Sequence, residues 1–358
     1  MTFTASILLI FCHLPEQIRT SASQASSWKD RMNEMDIPGT GILIPSVVSL
    51  LLALQWGGAS QYAWNSPVII ALLVLSGLGL GVFVGLQIYK GDRATIPPRI
   101  IKQRSVACSA CFFFFRQQDG DYLSVLYKSQ LPIWFQAIQN VSPLDSGIRI
   151  LPTTLSVALF SFLAGLGVAK TGYYTPFMIV GVAMLTGGAF FTATALTISS
   201  PSQVWIGSQL LFGTGAGIGI QQAHTAAQIV LEPADVPTGV VILIFSHVMG
   251  AVVFIPVAQS VFTSRLLSGL EAIQGPGKPG LGSLEPKEIL HMGANGFRDL
   301  SSLSSNADLL KHVLDAYNCA LTSAFLAGAV VACAGVVASL GMEWISIRKK
   351  NPEGVTAS

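Results

Sequence analysis

Charge is what this chain has least of. Of its 358 residues 11% are Asp, Glu, Lys or Arg, against roughly 25% in an average soluble domain. Hydrophobic residues make up 51% and the mean hydropathy is +0.60, which excludes a water-soluble globule and implies an integral membrane protein. No basic block with interleaved aromatics is present and the formal net charge is +2, so nothing in the chain calls for nucleic acid. Cysteine is scarce too. Cys12, Cys108, Cys111, Cys319 and Cys333 show no repeated spacing, which gives no disulfide framework. Cys108-Ser-Ala-Cys111 has the form CxxC, but it lies in an apolar run without a second pair, the setting of ordinary membrane-helix cysteines. There is no HExxH, no GxSxG and no pair of acids on one apolar run. An enzyme is not indicated, and the expectation is no catalytic residue, no metal and no cofactor.

What the chain has is long apolar runs. The most informative stretch is Val204–Phe262: two runs around the polar turn EPADVPTG, each long enough to cross ~30 Å of hydrocarbon. Neither run contains a Lys, Arg, Asp or Glu. Each instead carries amides and imidazoles: Gln209, Gln221, Gln222, His224 and Gln228 in the first, His247 and Gln259 in the second. Lipid offers such groups no partner, so they must face protein or a wet path. Apolar walls set with a few polar groups suit a conduit for an organic solute. The glycines of Gly213–Gly219 resemble a nucleotide loop only superficially, since neither the preceding strand nor the Gly-Lys-Ser/Thr ending is present. Small residues at this density let membrane helices approach closely.

Taken in order, residues 1–38 read as the remnant of a span plus a cytoplasmic linker, and 39–104 as two central spans (Gly39–Trp56 and Pro67–Tyr89) with a basic loop. Glycines 77, 79, 81 and 85 predict a close helix contact for the second of these. Residues 105–345 read as a six-span unit, with 264–315 a polar loop outside the membrane and 346–358 a cytoplasmic tail. The first span of this unit is broken by RQQDGD at 116–121, whose charges would each cost about 2.5–3.5 kcal/mol at the membrane centre. Either the helix starts after the interruption or the segment is a splicing or gene-model defect. Further spans are expected near 148–168, 176–198, 203–231, 237–262 and 316–342. Lys and Arg concentrate in the loops at 90–104 and 170 and in the tail after 342, which places those ends in the cytoplasm with the 232–239 turn.

Several segments then resemble, in order, one known family. QLPIWFQAIQNVSPLDSGIRILP, TGYYTPFMIVG, WIGSQLLFGTGAGIGIQQ and DVPTGVVILIFSHVMGAVVFIPVAQSVF are similar to the carboxyl half of fungal fourteen-span major facilitator transporters, the drug:proton antiporters that expel drugs and toxins. MDIPGTGILIPSVVSLLLALQWGG and GDRATIPPRI resemble that family's two extra central spans, LLIFCHLPEQIRTS the end of its sixth span, and GMEW its last. The resemblance implies an all-α integral membrane fold: the carboxyl-terminal six-helix half plus two preceding linker helices, about seven or eight spans. It implies efflux of a hydrophobic drug or secondary metabolite by proton exchange. Relatives carry six spans ahead of this region, so the chain reads as truncated. The alternative is a transport-inactive fragment or a half-transporter needing a separate amino-terminal partner. Expected partners are the bilayer, a hydrophobic small molecule and protons. The expected location is the plasma membrane, with the vacuolar membrane as the alternative. His224 stands where relatives have proline and His247 where they have glutamine, and RQQDGD has no counterpart.

The resemblance puts Gln221 and Gln222 on a cavity-lining span, and the candidate substrate pathway is Gln136, Gln209, Gln221, Gln222, His247 and Gln259. The opposing reading for the amides is interhelical hydrogen bonding, worth about 0.6–2 kcal/mol each. His224 and His247 are candidate proton-relay groups, because imidazole titrates near neutrality. Glu232, Asp235, Pro237 and Gly239 form the cytoplasmic turn, where acids suit the start of the following helix. Trp134, Phe135 and Gln136 read as interface anchors, and Asp145 with Arg149 as a helix-start pair.

Overall fold

In the computed structural model, which describes residues 36–58, 62, 64–91, 94–116, 122–274, 286, 288–290 and 307–347, the apolar runs of the sequence are helices. They are α1 (Ile37–Gly58), α2 (Pro67–Lys90), α3 (Arg104–Arg116), α4 (Tyr122–Ala137), α5 (Leu151–Thr171), α6 (Thr175–Ala195), α7 (Ser202–Val230), α8 (Val236–Glu271) and α9 (Ala307–Leu340). Short helical turns at Pro98–Ile101 and Pro143–Ile148 lead into α3 and α5. The amino-terminal segment 1–35, most of the 264–315 loop and the tail from 348 lie outside the described residues.

Helix starts follow local chemistry. Ser66 accepts the Ile69 N–H at 3.3 Å with Pro67 at the first helical position of α2. The α5–α6 turn closes on Gly172, whose left-handed φ of 77° lets its N–H reach the Val168 carbonyl at 2.8 Å. Six of the described helices, α1, α2, α5 with its leading turn, α6, α8 and α9, are long and apolar enough to cross a membrane. At 29 residues α7 reaches roughly 44 Å, but its glutamines and histidine make it less apolar than the other long helices. The broken span of the sequence reading is two helices, α3 and α4, on either side of the RQQDGD charges.

Packing runs α5–α7–α6 on one side, α8–α9 and α3 on the other, with the α1–α2 hairpin laid against α8. Alternate glycines of α7 serve two neighbours at once. Added methyl groups at Gly213 and Gly217 would meet α5, 2.7 Å from the Thr153 carbonyl oxygen and 2.5 Å from that of Val157. Those at Gly215 and Gly219's neighbour Gly181 would meet across the α6–α7 contact, 2.2 Å from Leu185 N and 2.5 Å from Gly219 N respectively. The glycine run is thus a double close-packing face.

The same logic fails for α2. Of its glycines only Gly79 meets a neighbour, Ser46 of α1; Gly77, Gly81 and Gly85 open onto empty space. The close contact expected from sequence is therefore made at Gly79, while the other three glycines meet no neighbour among the described residues. Two other expectations change. Trp134 and Phe135 are not interface anchors but fully buried, the indole N–H donating to Asn318 Oδ1 at 2.9 Å and Asn318 to the Leu196 carbonyl at 3.2 Å. Helices α8 and α9 also run past the ends read as loop. Phe262, Leu266, Leu270 and Ile273 recur at helical spacing and bury against Leu309, Val313 and Tyr317.

Candidate functional site

The polar groups of α7 fall on two faces. Gln221 and Gln228 are exposed and Thr225 between them is half-buried, one stripe at helical spacing. Gln222, one residue on, is 1% exposed. Its amide donates to the Ile218 carbonyl of its own helix at 3.1 Å, while its Oε1 is buried without a hydrogen-bond partner. Among the described residues no group partners that oxygen, and a buried acceptor of this kind normally costs about 1–3 kcal/mol.

Close by, α3 brings the two histidines together. The ring of Phe113, itself buried, lies 4.9 Å from the His224 ring of α7 and 6.3 Å from that of His247 of α8, the latter edge-on. Both imidazoles are half-buried. Next to them Phe114 and Phe115 of α3 meet Phe254 of α8 at 5.5 and 6.1 Å. The helices can come this near because a methyl at Gly250 would fall 2.2 Å from the Phe114 carbonyl oxygen. The result is an aromatic wall carrying two titratable groups, with the polar stripe of α7 beside it.

The other sequence-named amides are elsewhere. Buried Gln209 accepts the Thr153 hydroxyl and donates to the Arg149 carbonyl, both at 2.9 Å, tying α7 to the start of α5. Gln136 donates to Ser146 Oγ at 3.0 Å at that same end. Exposed Gln259 accepts from Gln130 at 3.4 Å, joining α8 to α4. Asp145 is engaged with Ser142 rather than Arg149: its N–H is capped by the Ser142 hydroxyl, which also donates to its carboxylate. The Arg149 guanidinium instead donates to Gln139 and lies 5.6 and 5.8 Å over the rings of Phe135 and Trp205.

At the opposite end the turn before α8 departs from its expected role. Asp235 makes no side-chain cap; its carboxylate pairs with Arg99 at 2.8 Å, binding the turn to the basic loop. Glu232 is exposed and supplies only its main-chain carbonyl to the N–H groups of Asp235 and Val236. Pro237 is exposed in the first turn of α8, and Gly239 is buried where a methyl would strike Leu231.

Two acids were not legible as site residues. Asp36 caps α1 by accepting the Gly39 N–H at 2.9 Å, and it also receives Lys90 at 2.6 Å, Gln87 at 2.7 Å and Thr95 at 3.1 Å. Burial alone would raise its pKa, but the Lys90 ammonium, the Gly39 N–H and the other donors hold it well below the usual carboxylate range. A groove of about 600 Å³ opens beside it between Ile37, Thr40, Ile44 and Ala94. Glu343, beyond α9, is bonded to the starts of α3 and α6. Among the described residues no cluster of three metal-ligating side chains occurs.

Helices of this length and apolarity, with buried amides and imidazoles between them, define a multi-pass integral membrane protein. Comparison with known proteins makes the class specific. Residues 1–131 match the family model described as the fungal trichothecene efflux pump, TRI12. The MFS-type efflux pump MFS1 of Arthroderma benhamiae is 39% identical over 98% of this chain and 62% of its own length. The efflux pump aflT of Aspergillus parasiticus is 36% identical over 97% of the chain and 64% of its own length. The rubrofusarin-specific efflux pump aurT of Gibberella zeae is 35% identical over 96% and 59%. Over nearly its whole length the chain is similar to these major facilitator efflux pumps. It spans about three-fifths of the length of the curated relatives it matches.

Proposed function

We propose that the chain works in the export of hydrophobic small molecules of the secondary-metabolite class, in exchange for protons, across the plasma membrane. The observation that carries this reading is the meeting of α3, α7 and α8 around Phe113, where two half-buried imidazoles stand in otherwise apolar helices. The names of the three relatives given above, all efflux pumps, point the same way.

In mechanism, the apolar and aromatic wall of Phe114, Phe115 and Phe254 receives the hydrophobic body of the solute. Gln221 and Gln228, on the exposed stripe of α7, supply the few polar contacts that orient it, while Gln222 lies buried on the neighbouring face. His224 and His247 take up protons from one side and release them to the other, because imidazole changes charge near neutral pH. In this fold the opposing wall is a second six-helix unit, and the two rock about a midplane site. Gln209, Gln136 and Gln259 hold helices in register around the path. The basic loop and the 232–239 turn lie on the cytoplasmic side.

The test is accumulation of a hydrophobic fluorescent solute in a host deprived of its own pumps and expressing the gene. Lower accumulation that a proton ionophore restores is the expected result. Accumulation equal to that of the empty host, with the protein present in the membrane, contradicts the reading.

A further inference from the structure

The segment after α9 joins two helix starts that are remote in the chain. The Glu343 carboxylate receives the Ser105 hydroxyl at 2.8 Å and the Gln103 amide at 3.5 Å. Its main-chain carbonyl receives the hydroxyls of Tyr174 at 3.1 Å and Thr175 at 3.0 Å. Ser105, Tyr174 and Thr175 are buried, so these contacts are not exchanged with water. On one side of Glu343, Arg104 Nε donates to the Gly341 carbonyl at 2.8 Å and Met342 is buried among Phe112, Tyr174 and Met178. On the other, Ile347 donates to the Gly172 carbonyl at 2.9 Å, and Tyr173 and Ser346 form an antiparallel bridge. Arg104 and Ser105 open α3, and Tyr174 and Thr175 open α6. The acid therefore sits against the first turn of α3, where free N–H groups favour negative charge.

We propose that residues 341–347 are a latch fixing α3 against α6, and that Glu343 is the positioning residue that sets the latch. Through α3 it determines where Phe113 stands between His224 and His247, since Ser105 and Phe113 lie roughly 12 Å apart along one rigid helix. That consequence rests on the transport reading above; the latch itself does not.

Cys108 reports on it directly, because it is half-buried and a methyl at Gly341 would fall 2.8 Å from its Sγ, so the closed latch covers it in part. The experiment measures maleimide labelling of Cys108 in membranes, with Cys12, Cys111, Cys319 and Cys333 replaced by Ser. Glu343→Ala is expected to speed labelling about tenfold, the effect of losing one partly buried charged hydrogen bond. Glu343→Gln, which keeps an acceptor for Ser105, is expected to stay within about twofold of the parent. A disulfide between Tyr173→Cys and Ser346→Cys is expected to return Glu343→Ala to the parental rate. Equal labelling of parent and Glu343→Ala, or acceleration that the disulfide leaves unchanged, overturns the latch. Should Glu343→Ala not reach the membrane, Ser105→Ala removes the same contact from the other side and is judged by the same results. Labelling needs no transport, so predicted labelling without export counts against the transport reading alone, and export with unchanged labelling against the latch alone.

Discussion

His224 and His247, on different helices, lie against one phenyl ring, that of Phe113, with ring centroids 4.9 and 6.3 Å away. The shared ring sets the spacing between α7 and α8 at the level of both imidazoles. Phe113→Ala is expected to cost about 3–5 kcal/mol, because the ring is buried and its neighbours cannot all collapse into its place. Phe113→Leu retains most of the volume and is expected to lose about 1 kcal/mol. Thermal unfolding of the purified variants in detergent measures the difference.

The glycines separate into two classes that sequence inspection joins. Gly215→Ala puts a methyl 2.2 Å from Leu185 N and must push α6 from α7, so a marked fall in membrane yield and in unfolding temperature is expected. Gly77→Ala meets nothing within 4 Å and is expected to be neutral or to gain up to about 1 kcal/mol from helix propensity. A Gly77→Ala variant as unstable as Gly215→Ala would refute the assignment.

Asp36 predicts a pH response. Its folded pKa is depressed below the ordinary value of 3.8, so its contribution to stability is fully present above that value and is lost as pH falls towards the folded one. Asp36→Asn is expected to lose about 2 kcal/mol at neutral pH, since it forfeits the charged hydrogen bond to Lys90. The parent's loss of stability on acidification below pH ~4 is expected to be smaller in the variant. Unfolding temperature against pH for the two proteins checks both statements.

Orientation is tested at two exposed turns. A single cysteine at Ala234, beside the Asp235–Arg99 pair, is expected to react with an impermeant maleimide only in permeabilised cells, and one at Ser199 in intact cells. Reaction of both in intact cells would reverse or abolish the proposed placement of the basic loop in the cytoplasm.

What could be read from sequence was what repeats locally. The apolar runs gave the helices to within a few residues where polar turns punctuate them. Gly213–Gly219 announced close packing because alternate glycines in a helix leave two faces bare. The ends of α8 and α9 extend past the expected loop boundaries although Phe262, Leu266 and Leu270 carry the spacing, because the Gly/Pro/Ser-rich and charged character of 264–315 reads as a loop. What stayed hidden was pairing over long separations. Nothing local to Trp134 names Asn318 as its acceptor, nothing at Asp235 names Arg99, and nothing at Glu343 names Ser105 and Thr175. Gly77, Gly81 and Gly85 of α2 share the spacing of Gly79 but, among the described residues, meet no neighbour, a distinction only the fold makes. The histidines were legible as unusual groups, but their meeting at Phe113 required the fold.

The central claim is that protons taken up at the imidazoles drive export, and proton-gradient-driven movement in sealed membrane vesicles tests it most directly. Vesicles containing the protein are loaded with a hydrophobic fluorescent solute, a pH difference is imposed, and solute movement is followed with the parent and with His247→Ala at matched protein levels. The account predicts solute movement that follows the pH difference in the parent, and loss of that dependence in His247→Ala while Gln209→Ala, if folded, keeps it. Solute movement independent of the pH difference in the parent, or an unchanged dependence in His247→Ala and His224→Ala alike, would contradict it.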